Sequence, residues 1–277
     1  MKIGTQMWDR AYELILDDIV IKDLDISFNA IRNTETEPNT LDLEILNLSK
    51  NTRKKLEDKK KFLVQLKAGY KGSIGTVFLG QVREISSTHS STEWVTTISS
   101  GDGEDAKAES RVNKSYGPGA SVANVMQDVA RSMQVEQGNL TQNLARGRLV
   151  TSKMPTFVNG ITVSGPAHKE FDRICKSAGL EWSIQENKLQ ILPANKALQT
   201  LAVVLTPNNG LIGSPTISSD GTLNALSLIN SDIIPGKQLV IQSEHVNGRF
   251  RAEKCTYKGQ TSGQDWYIEI EGKELKI

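Results

Sequence analysis

The sequence predicts a mainly β protein in which two similar antiparallel β units flank smaller α+β segments. Two alternating runs near the two ends support this, Thr40-Leu41-Asp42-Leu43-Glu44-Ile45-Leu46 and Thr222-Leu223-Asn224-Ala225-Leu226-Ser227-Leu228. In both places an apolar strand follows, at residues 62–66 and 239–242, and after it a lone tryptophan, Trp94 or Trp266. Helical periodicity is confined to the middle of the chain. We therefore expect a duplicated β domain with an insertion.

The repeat is degenerate, and coincidence is the alternative explanation. The spacing from Phe62 to Trp94 is longer than that from Leu239 to Trp266, so a hairpin or loop has changed length. Any two antiparallel sheets with alternating side chains share such patterns. The shared order of several features favours duplication more than any one of them does.

The composition is that of a soluble globular protein of two or three domains, with 277 residues of which 38% are hydrophobic. The 33 basic and 32 acidic side chains nearly cancel, so net charge gives no argument for nucleic acid or a membrane as partner. The N-terminus has no apolar stretch of signal-peptide length, and no run could span a membrane. We expect a protein made and folded in a cytoplasm.

Residues 1–103 are predicted to form the first β domain, a small barrel or sandwich. A half-buried strand is expected within residues 17–31, and Asn47 to Lys61 should be a turn or short helix. The serine-rich stretch Ser86 to Ser91 is expected to be a turn. Further strands are expected at residues 41–48, 62–66, 73–84 and 94–99.

The middle of the chain is predicted to hold two small domains. Residues 104–164 form an α/β insertion with a helix at about 121–134, for which Ser121 is a candidate N-cap, and residues 155–163 form a candidate strand. Residues 165–196 form a helix, from Pro166 to about Ala178, and a hairpin that turns at Glu186-Asn187. Residues 197–277 form the second β domain, with strands expected at 201–205, 222–228, 239–243, 250–257 and 266–271.

No residue is predicted to be catalytic, to bind a cofactor or to ligate a metal. Gly117-Pro118-Gly119 lacks the residues of a phosphate-binding loop, and no nucleophile motif is present. The histidines His89, His168 and His245 are expected at the surface. The acidic pairs Asp17-Asp18 and Glu104-Asp105 lie at segment edges, where solvated carboxylates are usual.

Three further groups of residues have mainly structural interpretations. Cys175 and Cys255 are expected to be buried, reduced thiols. A turn containing Lys54, Lys55, Lys59, Lys60 and Lys61 is expected to be solvated, with an acidic partner or nucleic acid as the functional alternative. Trp94, Trp182 and Trp266 are expected to anchor the cores, and Trp8 is ambiguous between a strand and an arm that reaches a neighbour.

The chain resembles the baseplate hub proteins of contractile-tailed bacteriophages, the late-control or tail hub family, which is related to the hub module of type VI secretion spikes. The residues that carry the resemblance are Ile161-Thr162-Val163-Ser164-Gly165-Pro166-Ala167-His168-Lys169-Glu170-Phe171, continued through Ile174 and Gly179 into Glu181-Trp182-Ser183-Ile184. The end of the first β domain, from Trp94 to Glu104, and the helix that follows also look like that family.

The resemblance implies two tube-like β-barrel domains around small α/β domains, and a homotrimer that presents six similar barrels. It implies a structural, non-enzymatic virion protein in the tail baseplate, assembled in the host bacterial cytoplasm. The implied partners are the tail spike protein, the tail tube or tube-initiator protein and other baseplate proteins. DNA would only pass through the channel, and no stable membrane insertion is implied.

Two other hypotheses remain open. One is a monomeric β-rich module that binds carbohydrate or peptide of the host envelope, which the low aromatic content of 5% disfavours. The other is a cell-wall hydrolase, which the missing nucleophile and metal patterns disfavour. Independently of function, a charged residue at Phe62 or Leu63 is expected to disrupt the first β domain.

Overall fold

The computed structural model of the protein describes residues 9–59, 61–104, 108–145 and 156–275. Trp8, Lys60 and Asp105, which figure in the predictions from the sequence, lie outside these residues. The described residues form two compact units. Unit 1 takes its residues from Met1–Asn33, Asn39–Asp102 and Ala197–Ile277, and unit 2 from Thr34–Pro38 and Gly103–Lys196. The four-domain division stays a prediction beside this partition.

Unit 1 is built on one thirteen-stranded sheet and a short helix, α1 (Lys50–Glu57). Its strands are β1 (Arg10–Leu16), β2 (Ile19–Ile21), β3 (Ile26–Asn33), β4 (Thr40–Leu46), β5 (Leu63–Tyr70), β6 (Ser73–Ser90), β7 (Glu93–Gly101), β14 (Val203–Leu205), β15 (Leu211–Ile217), β16 (Thr222–Leu228), β17 (Gln238–Gln242), β18 (Asn247–Gln260) and β19 (Trp266–Glu274). The main path runs β15-β16-β19-β18-β3-β4-β7-β6-β5-β1-β2, and β17 and β14 branch from β18. All pairs are antiparallel except β14 with β17.

The core of unit 1 follows from the two-residue period of its strands. Strands β4 and β16, the two runs that look alike in sequence, bury alternate residues in the same pattern. Leu41 and Leu43 on β4 and Leu223 on β16 are fully buried, whereas Asp42 and Glu44 are exposed. One apolar cluster contains the buried side chains of both strands.

The repeat extends from the sequence to the pairing of the strands. Strand β4 pairs with β7, with Thr40 opposite Gly101, and β16 pairs with β19, with Thr222 opposite Lys273. The third strand of each set, β6 or β18, contains a bulge, and its pairing resumes at Glu84 or Lys254. We call β4, β7 and β6 the first strand set, and β16, β19 and β18 the second. The two sets share one strand order, one register and one bulge position.

The secondary structure predicted from the sequence differs from the observed secondary structure at four places in unit 1. The stretch Ser86 to Ser91 is not a turn, because β6 continues as a strand to Ser90. The expected single strand in residues 17–31 is split into β2 and β3. Strands β1 and β15 form where the sequence analysis assigned none.

Three helices and six short strands of unit 2 lie wholly within the described residues. These are β8 (Arg111–Tyr116), β9 (Ala120–Ser121), α2 (Val122–Ser132), α3 (Leu140–Ala145), β10 (Thr156–Phe157), β11 (Ile161–Pro166), α4 (Ala167–Ser177), β12 (Leu180–Gln185) and β13 (Lys188–Pro193). Helix α2 lies within the segment for which the sequence predicts a helix. Its N-cap is Ser121, whose side chain makes no capping hydrogen bond.

The helix and hairpin predicted near residue 180 are both present. Helix α4 buries Phe171, Ile174 and Cys175, and its core neighbour Trp182 stands edge-to-face with Phe171 at 5.2 Å between ring centroids. The hairpin β12–β13 turns at Glu186 and Asn187, which both have positive φ, at 56° and 60°. Such a pair is typical of the two-residue turn that matches strand twist. The candidate strand at 155–163 is instead two strands, β10 and β11.

Charge substitutions at the neighbouring residues Phe62 and Leu63 test which side chains face the core at the start of β5. Phe62 is 6% exposed and Leu63 is 50% exposed, so the structure supports the expected sensitivity to charge for Phe62 and argues against it for Leu63. We predict that Phe62→Asp lowers the free energy of unfolding by at least about 3 kcal/mol, since it leaves a cavity and buries a charge. We predict a loss within about 1 kcal/mol for Leu63→Asp. Urea unfolding of both variants measures the difference, and equal losses would contradict the register.

Candidate assembly surface

The structure brings none of the chemically reactive candidates together. His89 and His245 are exposed on unit 1, and His168 is half-buried in the first turn of α4 in unit 2. Among the described residues, no group of three or more His, Cys, Asp or Glu side chains could hold a metal ion. The reactive residue types therefore do not define a site within the described part of the chain.

The lysine-rich segment, which contains α1, forms ion pairs with the acidic pair Asp17-Asp18. Lys55 Nζ lies 2.6 Å from an oxygen of Asp18, and Lys59 forms an ion pair with Asp17. The Lys55 contact lowers the pKa of Asp18, and the Asp17 contact raises the pKa of Lys59. The pairs are solvent-exposed, so each contributes little to stability. These ion pairs link α1 and the residues after it to the β1–β2 turn, and in each pair the charges of a lysine and an aspartate cancel.

The polar face of the large sheet carries paired charges. Lys258 and Lys254 on β18 contact Glu269 and Glu271 on β19 at 2.7 and 3.0 Å. Such cross-strand pairs stabilise a sheet and neutralise its surface. Beside them an open groove of about 300 Å³ is lined by side chains of β3, β4, β7 and β18, among them Asp42. This face is solvated, and its groove is open, with polar and apolar residues such as Asp42 and Phe28 in its lining.

The two strand sets differ in how the outer edge of their bulged strand is covered. The last part of β18, residues 254–260, pairs with β19 on one side and with β3 on the other. The equivalent part of β6, residues 84–90, pairs with β7 alone. A strand with one unpaired edge presents free backbone donors and acceptors. Strand β15, at one end of the main path, also has an open edge, since among the described residues it pairs with β16 alone.

Trp94 and Trp266, which occupy equivalent positions in the two strand sets, differ in burial. Trp266 is 4% exposed, since it stands edge-to-face with Phe28 of β3 at 5.6 Å and donates a 3.0 Å hydrogen bond to the carbonyl of Gly69. Trp94 is 38% exposed, with His89 at its edge and the guanidinium of Arg53 over its ring. The expectation that Trp94 is a core anchor is wrong, and those for Trp182 and Trp266 are confirmed.

Exposed apolar side chains also occur on β15, at its open edge. Ile212 and Ile217 of β15 are 36% and 50% exposed. Neither this strand nor the end of β6 is predicted from the sequence. An alternating pattern of apolar residues, its only signal for a strand, is interrupted in β15 by Gly213 and Pro215 and is absent from the serine-rich end of β6.

Comparison with known families decides the identity of the chain. A family model described as "Baseplate hub gp41" matches residues 1–272. The chain belongs to this baseplate hub family. The match confirms the resemblance inferred from the sequence and makes the protein a structural component of a phage tail, since the baseplate hub is part of the virion tail. No curated protein sequence matches the chain.

Solved structures with the same fold are phage tail and secretion proteins. The 43 kDa tail protein of prophage MuSo2 from Shewanella oneidensis is similar with a TM-score of 0.64 at 10% identity, over 96% of this chain and 98% of that chain. A tail protein from Neisseria meningitidis MC58 gives 0.63 at 8% identity, over 96% and 97%. The c3393 protein of E. coli, a type VI secretion component, gives 0.62 at 10% identity, over 95% and 77%. At these identities the likeness concerns the fold.

In the part of the chain that the structure describes, helices are too short or too polar to cross a membrane.

The two thiols give a simple test of the cores. Burial raises the pKa of Cys255 to about 12 and raises that of Cys175 even further above its usual range. Because the thiolate is the reactive form, we predict that neither thiol reacts with a disulfide reagent at pH 8 in the native protein. Both should react in guanidinium chloride. Rapid labelling of one thiol under native conditions would show that its unit opens locally.

Proposed function

We propose that this baseplate hub protein acts as a homotrimer that joins the sixfold tail tube to the threefold central spike. The observation that carries the proposal is the repeat of one strand order, register and bulge within unit 1. Three copies of a chain with two similar halves present six similar surfaces. A sixfold partner can bind all six, while the true symmetry of the ring remains threefold.

In this arrangement each half of unit 1 is one tube-like β-barrel. The first is formed around β4, β6 and β7, and the second around β16, β18 and β19. The pairing of β6 supports this, because β5 pairs with its first part and β7 pairs with its last part. Strand β18 is shared in the same way between β17 and β19. A strand that changes partner along its length turns the corner of a barrel or sandwich.

The partners of the ring follow from its position in the tail. One side contacts the tail tube or its initiator, the other receives the spike, and other baseplate proteins bind around it. The charge-paired sheet face suits a channel wall, because Lys254 and Lys258 are engaged by Glu271 and Glu269. DNA that must pass needs a wall without strong phosphate contacts or stacking platforms. Assembly takes place in the host cytoplasm.

A structural function fits the chemistry of the surface. The family is one of structural hubs, and the histidines and acidic pairs of the described residues form no constellation of nucleophile and base. We infer that a cell-wall hydrolase in the same particle is a separate protein, and that binding interfaces perform the work of this one.

The mass of the purified protein tests the proposal. We predict a mass of three chains by light scattering after size exclusion, and a ring with a central hole in negative-stain images of the same peak. If the chain alone is monomeric, co-expression with neighbouring tail proteins is the second arm, and a ring of three should form there. A monomer in both arms that binds an envelope glycan would overturn the proposal in favour of a binding module.

A further inference from the structure

We propose that Arg10 and Asp25 form a latch that holds the β18–β19 turn against the N-terminal strands and so keeps the junction between β18 and β3 closed. The latch consists of these two side chains and of residues 260–264, which they bind. It goes beyond the proposed function because it lies within one chain and needs neither a second copy nor a partner. We call it the turn latch.

Arg10, the first residue of β1, binds the backbone of the turn. Its guanidinium donates hydrogen bonds to three carbonyl oxygens, those of Gln260 at 2.9 Å, Gln264 at 3.0 Å and Gly263. The same group lies over the ring of Trp266, 5.7 Å from the ring centroid. The planar fork of arginine can serve several acceptors at once, and the ammonium group of lysine does not reproduce this geometry. One side chain therefore links the start of β1 to a turn 250 residues further along the chain.

Asp25, in the connection between β2 and β3, binds the side chains of the same turn. Its carboxylate accepts hydrogen bonds from the hydroxyls of Ser262 and, at 3.0 Å, of Thr261. The Ser262 bond, and after it the Thr261 bond, lowers the pKa of Asp25, so the carboxylate is ionised at neutral pH and is a strong acceptor. Beside it, Ile26 N donates to Thr261 Oγ1 at 2.9 Å, and Thr261 N donates to Ile26 O at 3.0 Å.

The turn latch lies at one end of the junction that joins the N-terminal strands to the C-terminal strands. The pairing of β18 with β3 runs from Lys254–Asn33 at one end to Gln260–Ser27 at the other. At the first end, the side chain of Asn39 accepts a 3.0 Å hydrogen bond from the backbone N of Asn33. At the second end, Gln260 is itself bound by the latch. Local opening begins most readily at the ends of paired segments, so side-chain contacts there oppose it most effectively.

The equivalent turn of the first strand set is held by a residue of its own neighbourhood. Strands β6 and β7 are joined by Ser91 and Thr92 alone. Asn47, the residue after β4, accepts a 3.2 Å hydrogen bond from the backbone N of Trp94 and donates a 3.3 Å bond to Glu93. These contacts stay among the strands of one set. The contacts of the turn latch instead cross from one end of the chain to the other, at the turn whose bulged strand has a second neighbour.

The need for a latch follows from the sequence distance across the junction. Strands β3 and β18 are not joined by a turn, so nothing in the local chain brings them back together once their pairing opens. Opening would expose two free strand edges, which are templates for pairing with other chains. Exchange of identical elements between copies is a low-cost route to wrong oligomers. By opposing the first step of opening, the latch keeps each chain closed on itself.

Amide hydrogen exchange of the native protein tests the turn latch. The test variant is Arg10→Lys with Asp25→Ala, which keeps the positive charge on β1 and removes the acceptor of the two hydroxyls. We expect the amides of residues 27–33 and 254–260 to exchange about tenfold faster or more, because several hydrogen bonds no longer oppose local opening. The acceleration should be largest at the turn end of the junction and smallest at the end bound by Asn39.

The matched control is Glu13→Gln. Glu13 lies on the same strand as Arg10, and its carboxylate forms ion pairs with Lys22 at 2.7 Å and with Lys67 at 2.6 Å. The substitution removes a charge and weakens two ion pairs without touching the turn. Exchange in the junction should therefore change by less than about twofold in this variant.

A disulfide across the junction gives a readout that a general loss of stability would not give. Asn29 and Lys258 lie opposite each other. Opposite residues of antiparallel strands have Cα atoms about 4.5 to 5.5 Å apart, which suits a disulfide. We expect Asn29→Cys with Lys258→Cys, added to the test variant, to restore slow exchange of residues 254–260 when oxidised and to lose it when reduced. The native thiols are buried and do not compete in the folded protein.

Three results would overturn the turn latch. The first is unchanged exchange of the junction in the test variant. The second is equal acceleration in all strands of unit 1, which would show a loss of global stability. The third is fast exchange of the junction that the disulfide does not slow. Since none of these measurements depends on the number of chains in the particle, failure of the latch leaves the proposed trimeric hub untouched, and a monomer in light scattering leaves the latch untouched.

Discussion

The pairing of β18 with β3 is the contact on which the architecture of unit 1 depends. It joins residues 27–33 to residues 254–260, so the first strand set is linked to the last residues of the chain. Around it the core buries Cys255 and Tyr257, and the Phe28–Trp266 edge-to-face pair closes one end. Because contacts so distant in sequence form late and slowly in folding, the continuous sheet is completed only when the C-terminal strands are in place.

The same contact explains why the sheet of a chain with two similar halves has open edges that differ from each other. This pairing covers one edge of β18 and one edge of β3. Among the described residues the equivalent edges, at residues 84–90 of β6 and on β15, have no paired strand. Two equal halves joined once always leave one edge of each kind. Contacts between such edges are heterologous, and they give a ring when the rotation per copy closes and a filament when it does not. Closure therefore depends on sheet curvature as well as on the edges.

The sequence predicts those parts of the fold whose partners lie close in the chain or whose faces differ in polarity. Strands β4 and β16 are visible because one face of each is buried, and the β12–β13 hairpin because its turn needs positive φ at Glu186 and Asn187. The sequence of the end of β6 predicts a turn, because its side chains have no buried face in the single chain. Trp94 is predicted to be a core residue because tryptophan is highly buried on average, and its partial exposure has no signal in the sequence. The candidate surface was thus the part that the sequence predicted least well.

The different burial of two equivalent tryptophans shows what the β18–β3 contact contributes to one half of unit 1. Trp266 is 4% exposed beside Phe28 of β3, whereas Trp94 is 38% exposed beside the part of β6 that pairs with β7 alone among the described residues. The strands that carry the two tryptophans have the same register in their pairing with β4 and β16. The difference in burial therefore comes from what lies beside the bulged strand, and not from the strands of the tryptophans themselves.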